Sequence, residues 1–133
     1  IRAAWKAGIE VCSGGIMGLG ETVEDRIDLA LEVRKLGVKS MPVNLLNPIP
    51  GTPYEHNPVI TTEEMRRIVA VFRFLLPDVW FGLAGGGGLL PDKGRSCFTA
   101  GANASISGDM LTTAGITIER DMQMLGELGY IVE

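Results

Sequence analysis

Few residues in this sequence combine a reactive side chain with a useful position. Cys12 and Cys97 are the two cysteines. A thiolate is a nucleophile and a soft metal ligand, whereas a free buried thiol packs as a small apolar residue. Cys12 closes a short β-branched stretch, Ile9-Glu10-Val11-Cys12, and is followed by the turn Ser13-Gly14-Gly15. The pattern predicts a strand over 9–12, with Cys12 near its C-terminal end, the end that carries the site in parallel barrels. Cys97 falls in a predicted helix and reads as a core residue.

The stretch Gly14-Gly15-Ile16-Met17-Gly18-Leu19-Gly20-Glu21 links that strand to the next helix. Bare glycine backbone lets a ligand approach closely, and it also serves a tight β–α turn. Its spacing is not the dinucleotide fingerprint, and it lacks the Lys-Ser/Thr of a phosphate-binding loop. Asn44 stands in an apolar run, Pro42-Val43-Asn44-Leu45-Leu46. A buried amide must bond a neighbouring backbone or read a polar ligand. His56 is the sole histidine, in a polar loop. Ser-His-Asp chemistry and histidine-rich zinc sites therefore lack their parts. Leu111-Thr112-Thr113 follows a predicted strand, where hydroxyls and amides either bind a carboxylate or cap the turn.

The elements that must position these residues alternate in type. Thr22 is suited to cap a helix whose first turn holds Glu24 and Asp25, and Val23, Ile27 and Leu31 form its expected apolar stripe. Arg34, Lys35 and Gly37 close it. A strand is expected over 38–46, although Pro42 argues against a flawless central one because it lacks a ladder donor. A proline-stiffened loop follows. Thr61-Thr62-Glu63-Glu64 opens a second helix, buried through Met65, Ile68, Val69, Phe72, Leu75 and Leu76, and Pro77 ends it. Strands over 79–84 and 102–107 flank a short helix over 92–100. Ile118, Met122, Leu125 and Leu128 mark a last helix.

Strands alternating with helices imply a parallel sheet with helices outside it. Four such units in 133 residues take about 33 each, against about 31 in an eightfold barrel. The spacing fits a single partial domain over residues 1–133, the C-terminal half of a (β/α)8 barrel. A small doubly wound sheet fits nearly as well. Twelve basic and 16 acidic residues give a net charge of −4, so nothing supports a general grip on nucleic acid. No apolar run reaches the roughly 18 residues of a membrane span. Two cysteines in an α/β chain suggest the cytoplasm. The chain lacks an initiator Met and opens in what reads as a helix end, which suggests a fragment.

The run from Val11 to Thr22, with Pro42-Val43-Asn44-Leu45-Leu46, Gly51-Thr52-Pro53, Gly101-Ala102-Asn103 and Leu111-Thr112-Thr113, strongly resembles the biotin synthase family in order and spacing, over its C-terminal half. The resemblance implies a radical S-adenosylmethionine enzyme on a (β/α)8 barrel, usually a homodimer. It implies that a [4Fe–4S] cluster and S-adenosylmethionine generate a radical, and that a [2Fe–2S] cluster supplies sulfur to dethiobiotin. The Cys-x3-Cys-x2-Cys motif for the first cluster is absent from this sequence. By the same resemblance Cys12 is a [2Fe–2S] ligand, and Ile16 and Gly18 lie in the S-adenosylmethionine loop. Asn44 then bonds the ureido ring of dethiobiotin, and Thr112 and Thr113 hold its carboxylate tail.

One departure stands out. Gly82 and Gly87 occupy positions where the family carries arginines, the first a cluster ligand. The expectation is that Gly82 faces Cys12, and that Gly82→Arg restores a side chain able to reach the iron. Two other readings stand beside this one. The chain could belong to a related radical S-adenosylmethionine enzyme with another substrate, or be a non-catalytic half barrel.

Overall fold

The computed structural model describes residues 1–108 and 115–132. Thr112 and Thr113 lie outside the described residues, as does Leu111. The chain order is α1 (Arg2–Lys6), β1 (Gly15–Met17), α2 (Val23–Leu36), β2 (Ser40–Leu45), α3 (Thr62–Leu75), β3 (Trp80–Leu83), a 3-10 turn (Gly87–Leu89), α4 (Arg95–Thr99), β4 (Ala104–Ser105) and α5 (Ile118–Glu127). The strands form one parallel sheet in the order β1-β2-β3-β4. The alternation expected from the sequence is therefore present.

The helices start where their caps dictate. Thr22 and Asp25 form a reciprocal capping box on α2, and Gly37 closes it at φ 73°, a left-handed value that glycine adopts without strain. Thr61 and Thr117 accept hydrogen bonds from the Glu64 and Arg120 amides at the starts of α3 and α5.

The core lies between one face of the sheet and the helices. Along β2 burial alternates: Met41, Val43 and Leu45 are buried, and Ser40, Pro42 and Asn44 point to the other face. Met65, Ile68, Val69 and Phe72 of α3 cover the buried row, and Phe72 meets Phe81 edge to face at 5.7 Å. Cys97 belongs to this core, as expected.

Arg73 ties the C-terminal end of α3 to the sheet. Its guanidinium donates to the carbonyls of Gly101 (2.7 Å), Leu76, Pro77 and Val79 (each 3.0 Å) and to Asn103 Oδ1 (2.8 Å). Asn103 Oδ1 also accepts from the Phe81 amide at 2.8 Å.

Two local expectations are corrected. The first strand does not run over 9–12; β1 begins at Gly15, and Cys12 makes an isolated parallel bridge to Ser40. Register explains the shift. Gly15 pairs with Val43, so residues 9–11 would fall opposite 37–39, before β2 has begun. Cys12 thus sits at the N-terminal end of the strand line, not the C-terminal end. In α2 the buried residues are Arg26, Ala30 and Val33, and Val23 is 62% exposed. The helix turns Arg26 inward because two carboxylates meet it there. The strand β2 is central, and, as Pro42 led one to expect, its ladder is not flawless. The pairing of β1 is broken at Ser13 and Gly14, opposite Pro42, so the missing donor falls in a gap of the ladder.

At that gap the backbones come close together. A Cβ on Gly14 would lie 1.7 Å from the Pro42 carbonyl oxygen, and one on Gly82 would lie 1.9 Å from that of Ala104. At Gly87, by contrast, the nearest atoms are 3.9 Å away. Gly14→Ala and Gly82→Ala should each lose about 2–3 kcal/mol of stability, as overpacking against rigid backbone does. Gly87→Ala should stay within about 0.5 kcal/mol of the parent. Denaturant midpoints of the three variants check this.

Candidate functional site

The face of the sheet opposite the helices is open among the described residues. Register arranges its side chains in rows across the strands. Cys12, Ser40 and Trp80 form the first row, at the N-terminal end. Gly14, Pro42, Gly82 and Ala104 form the second. Ile16 and Asn44 are paired in the third, at the C-terminal end. Trp80 is 61% and Ile16 45% exposed, a high value for large apolar groups on a sheet.

Cys12 is an exposed free thiol, and its Sγ lies 3.2 Å from Ser40 Oγ in hydrogen-bond contact. The two residues line a shallow depression of about 70 Å³ with Pro42, Trp80, Gly82, Ala104 and Ile106. Cys12 and Gly82 are thus brought together, as expected. The depression offers one thiol, that of Cys12. Among the described residues no three His, Cys, Asp or Glu side chains are grouped to hold a metal ion. An iron–sulfur group fits Cys12 as a single accessible thiolate, with its other ligands from elsewhere. Position 82 does not fit the expectation placed on it. A side chain there would require β4 to move off β3, because the obstructing atoms are Ala104 backbone.

Asn44 lies four residues further along β2 than Ser40, about 13 Å at the usual strand rise. Its Oδ1 accepts from the Gly85 amide at 2.7 Å. Its Nδ2 has no partner among the described residues, which leaves two donors on the open face. Cys12, Asn44 and Ile16 therefore share one face, with the thiol at one end and the amide at the other.

Gly18 follows β1 at φ 103°, in a turn that is fully tied down. Its amide donates to both Glu21 carboxylate oxygens, at 2.9 and 3.1 Å. Its carbonyl accepts from Asn57 Nδ2 at 2.8 Å. Glu21 also accepts from Arg26 Nε at 2.8 Å, and Arg26 Nη1 donates to Glu64 Oε1 at 2.8 Å. Burial pushes the Glu21 carboxyl up. The amides of Gly18 and Glu21 and the Arg26 guanidinium together outweigh burial and hold it below its ordinary value of 4.5.

Glu21 ends the loop that the sequence singles out, but its hold on Gly18 was not signalled, and Arg26, Asn57 and Glu64 were not signalled as part of the site. Glu21 and Arg26 are five apart, outside the helical pairing rule, and Asn57 and Glu64 are remote in sequence. His56 is exposed beside Glu55 at 3.3 Å, in keeping with the solvated reading. Burial, with Asp92 adding to it, pushes the Cys97 thiol up to about 12. No helix among the described residues is long and apolar enough to cross a membrane.

Two expected outcomes follow from these groups. A soluble disulfide reagent should modify Cys12 in the native chain and reach Cys97 only on unfolding, as peptide mass spectrometry will show. Glu21, with its carboxyl depressed in the folded state, stabilises above the unfolded value and loses that contribution as pH falls through the folded one. Urea midpoints should therefore drop below about pH 4.5 in the parent and less steeply in Glu21→Gln.

The chain has close relatives. It is 62% identical over 133 residues to a biotin synthase of Brachyspira hyodysenteriae, which covers all of this chain and 40% of that protein. It is 59% identical over 132 residues to a biotin synthase of Akkermansia muciniphila, covering 99% of this chain and 41% of the relative. It is 54% identical over 132 residues to one from Clostridium botulinum (strain Loch Maree), covering 99% and 42%. The chain thus spans about two fifths of the length of these curated relatives. Residues 42–131 match the Biotin and Thiamin Synthesis associated domain, so β2 through α5 carry that pattern. On this match the chain belongs to the Biotin and Thiamin Synthesis associated domain family.

Proposed function

We propose that this chain is the C-terminal part of a biotin synthase, and that it forms half of a (β/α)8 barrel. The observation that carries the reading is the 62% identity to a biotin synthase along all 133 residues. The fold supports it: four parallel strands with helices on one face leave a second face that a closed barrel would turn inward. The full-length protein is then a cytoplasmic homodimer that inserts sulfur into dethiobiotin.

In this reading a [4Fe–4S] cluster with S-adenosylmethionine supplies radical chemistry, and a [2Fe–2S] cluster supplies sulfur. Cys12 is the one ligand that this chain gives to the second cluster. Its thiol is accessible, and the Ser40 hydroxyl beside it orients the sulfur. Asn44 is fixed through Oδ1, so its Nδ2 donors are aimed for a ureido carbonyl. Ile16 gives an apolar surface to an adenine, and the Gly18 turn sets where that surface stands. Thr112 and Thr113 receive the carboxylate tail. The face between Cys12 and Asn44 keeps the sulfur end and the ring-binding end about 13 Å apart.

A second reading, a half barrel without catalysis, is favoured by the packing of Gly82 on Ala104. The two are separated in the full-length protein that contains this segment, reconstituted anaerobically with iron and sulfide. Cys12→Ala should abolish the visible [2Fe–2S] absorption and spare the [4Fe–4S] band, and Cys97→Ala should spare both. Conversion of dethiobiotin to biotin, followed by mass spectrometry, should be lost with Cys12→Ala. Full [2Fe–2S] absorption in Cys12→Ala overturns the assignment. The isolated 133-residue chain should form no biotin.

A further inference from the structure

The turn at Gly18 is held by a relay that begins well away from it. Gly18 has a single backbone donor, and the Glu21 carboxylate takes it at 2.9 and 3.1 Å. A glutamate alone would not fix that geometry, because its side chain can rotate away. Arg26 removes the freedom. It is buried to 9% exposure, which is costly for a guanidinium unless it is paired. Its Nε holds Glu21 and its Nη1 holds Glu64, both at 2.8 Å. The two contacts leave from different edges of a planar fork, so one cannot shift without disturbing the other.

Glu64 is fixed in turn. It lies in the first turn of α3, where the helix dipole favours a carboxylate. Its amide is capped by Thr61. From the opposite side Asn57, in the loop before α3, holds the Gly18 carbonyl at 2.8 Å. Both faces of the Gly18 peptide region are thus referenced to the start of α3.

We propose that Arg26 is a positioning residue for adenosyl-ligand binding, acting through Glu21 to hold the Gly18 turn and with it the exposed Ile16 surface. The inference rests on the reading of that turn as an S-adenosylmethionine site. Arg26 touches no ligand in it. The position of α3 becomes a determinant of affinity, and the Gly18 amide is a constrained group whose freedom reports the relay.

The test uses the full-length protein that contains this segment. Hydrogen exchange at the Gly18 amide is measured with no ligand, and S-adenosylmethionine is titrated by calorimetry. Arg26→Ala should speed exchange at Gly18 by about tenfold and weaken binding by a similar factor, as loss of a charge-assisted hydrogen bond does. Arg26→Lys keeps the charge without the fork and should recover little of either. Glu64→Gln, at the outer and half-exposed end of the relay, should shift both in the same direction by about threefold. Arg67→Ala, which breaks only a surface pair with Glu63, should shift neither. Unchanged Gly18 exchange in a folded Arg26→Lys or Glu64→Gln protein overturns the relay. Faster exchange with unchanged affinity overturns its role in binding. Absence of binding by the parent protein instead overturns the reading of the turn as an adenosyl site.

Discussion

The rest of the structure depends on the register of β2. This strand pairs on both sides, and its residues alternate between two environments. Met41, Val43 and Leu45 enter the core, and burying each contributes about 1.5–3 kcal/mol. Ser40, Pro42 and Asn44 are thereby sent to the other face. A slip of one residue would exchange the two sets, exposing the core row and burying the polar one. The same apolar side chains that stabilise the fold therefore fix where the candidate ligand groups stand. Arg73 reinforces this arrangement from the far edge, because its five acceptors belong to the link between α3 and β3 and to the approach to β4.

The two ends of the open face differ in how they are held. At the thiol end, Cys12 rests on one hydrogen bond and a single bridge, in a shallow depression. At the turn end, ion pairs and amide hydrogen bonds converge on Gly18 from α2 and from the segment before α3. The accessible thiol is thus loosely held at one end of the face, and the turn at the other end is rigid. The row of Gly14, Pro42 and Gly82, two of them without a side chain, lies between them. It brings the strands close and leaves the middle of the face low.

Much of this was legible in the sequence, for identifiable reasons. The caps at Thr22 and Thr61, the stop at Gly37 and the buried face of α3 follow from local rules that need no knowledge of the partner element. The core placement of Cys97 follows from its helical context. The start of β1 was not legible, since it depends on pairing with residues of β2 that lie 28 positions away. Pro42 signalled a flaw in the ladder but not its place: its missing donor is harmless because β1 is interrupted opposite it. The inward turn of Arg26 was hidden as well. Its two carboxylates lie five and 38 residues away, and an arginine among apolar neighbours reads as solvated until they are placed. Of the site, Cys12, Asn44 and the loop from Ile16 to Glu21 were named one by one, but that Cys12, Ile16 and Asn44 share one face follows only from the strand register. Ser40, Arg26, Asn57 and Glu64 were not named, because their role is contact and not pattern.

The burial of Cys97 has a practical consequence. With its thiol in the core and raised to about 12, it takes no part in ordinary thiol exchange near neutrality. The chain then carries one addressable sulfur, on the face that any covering segment must occlude. A fluorophore attached at Cys12 would be a built-in reporter of that occlusion. It would let the arrival of any segment that covers this face be followed in time, with no cysteine to be engineered into or out of this chain.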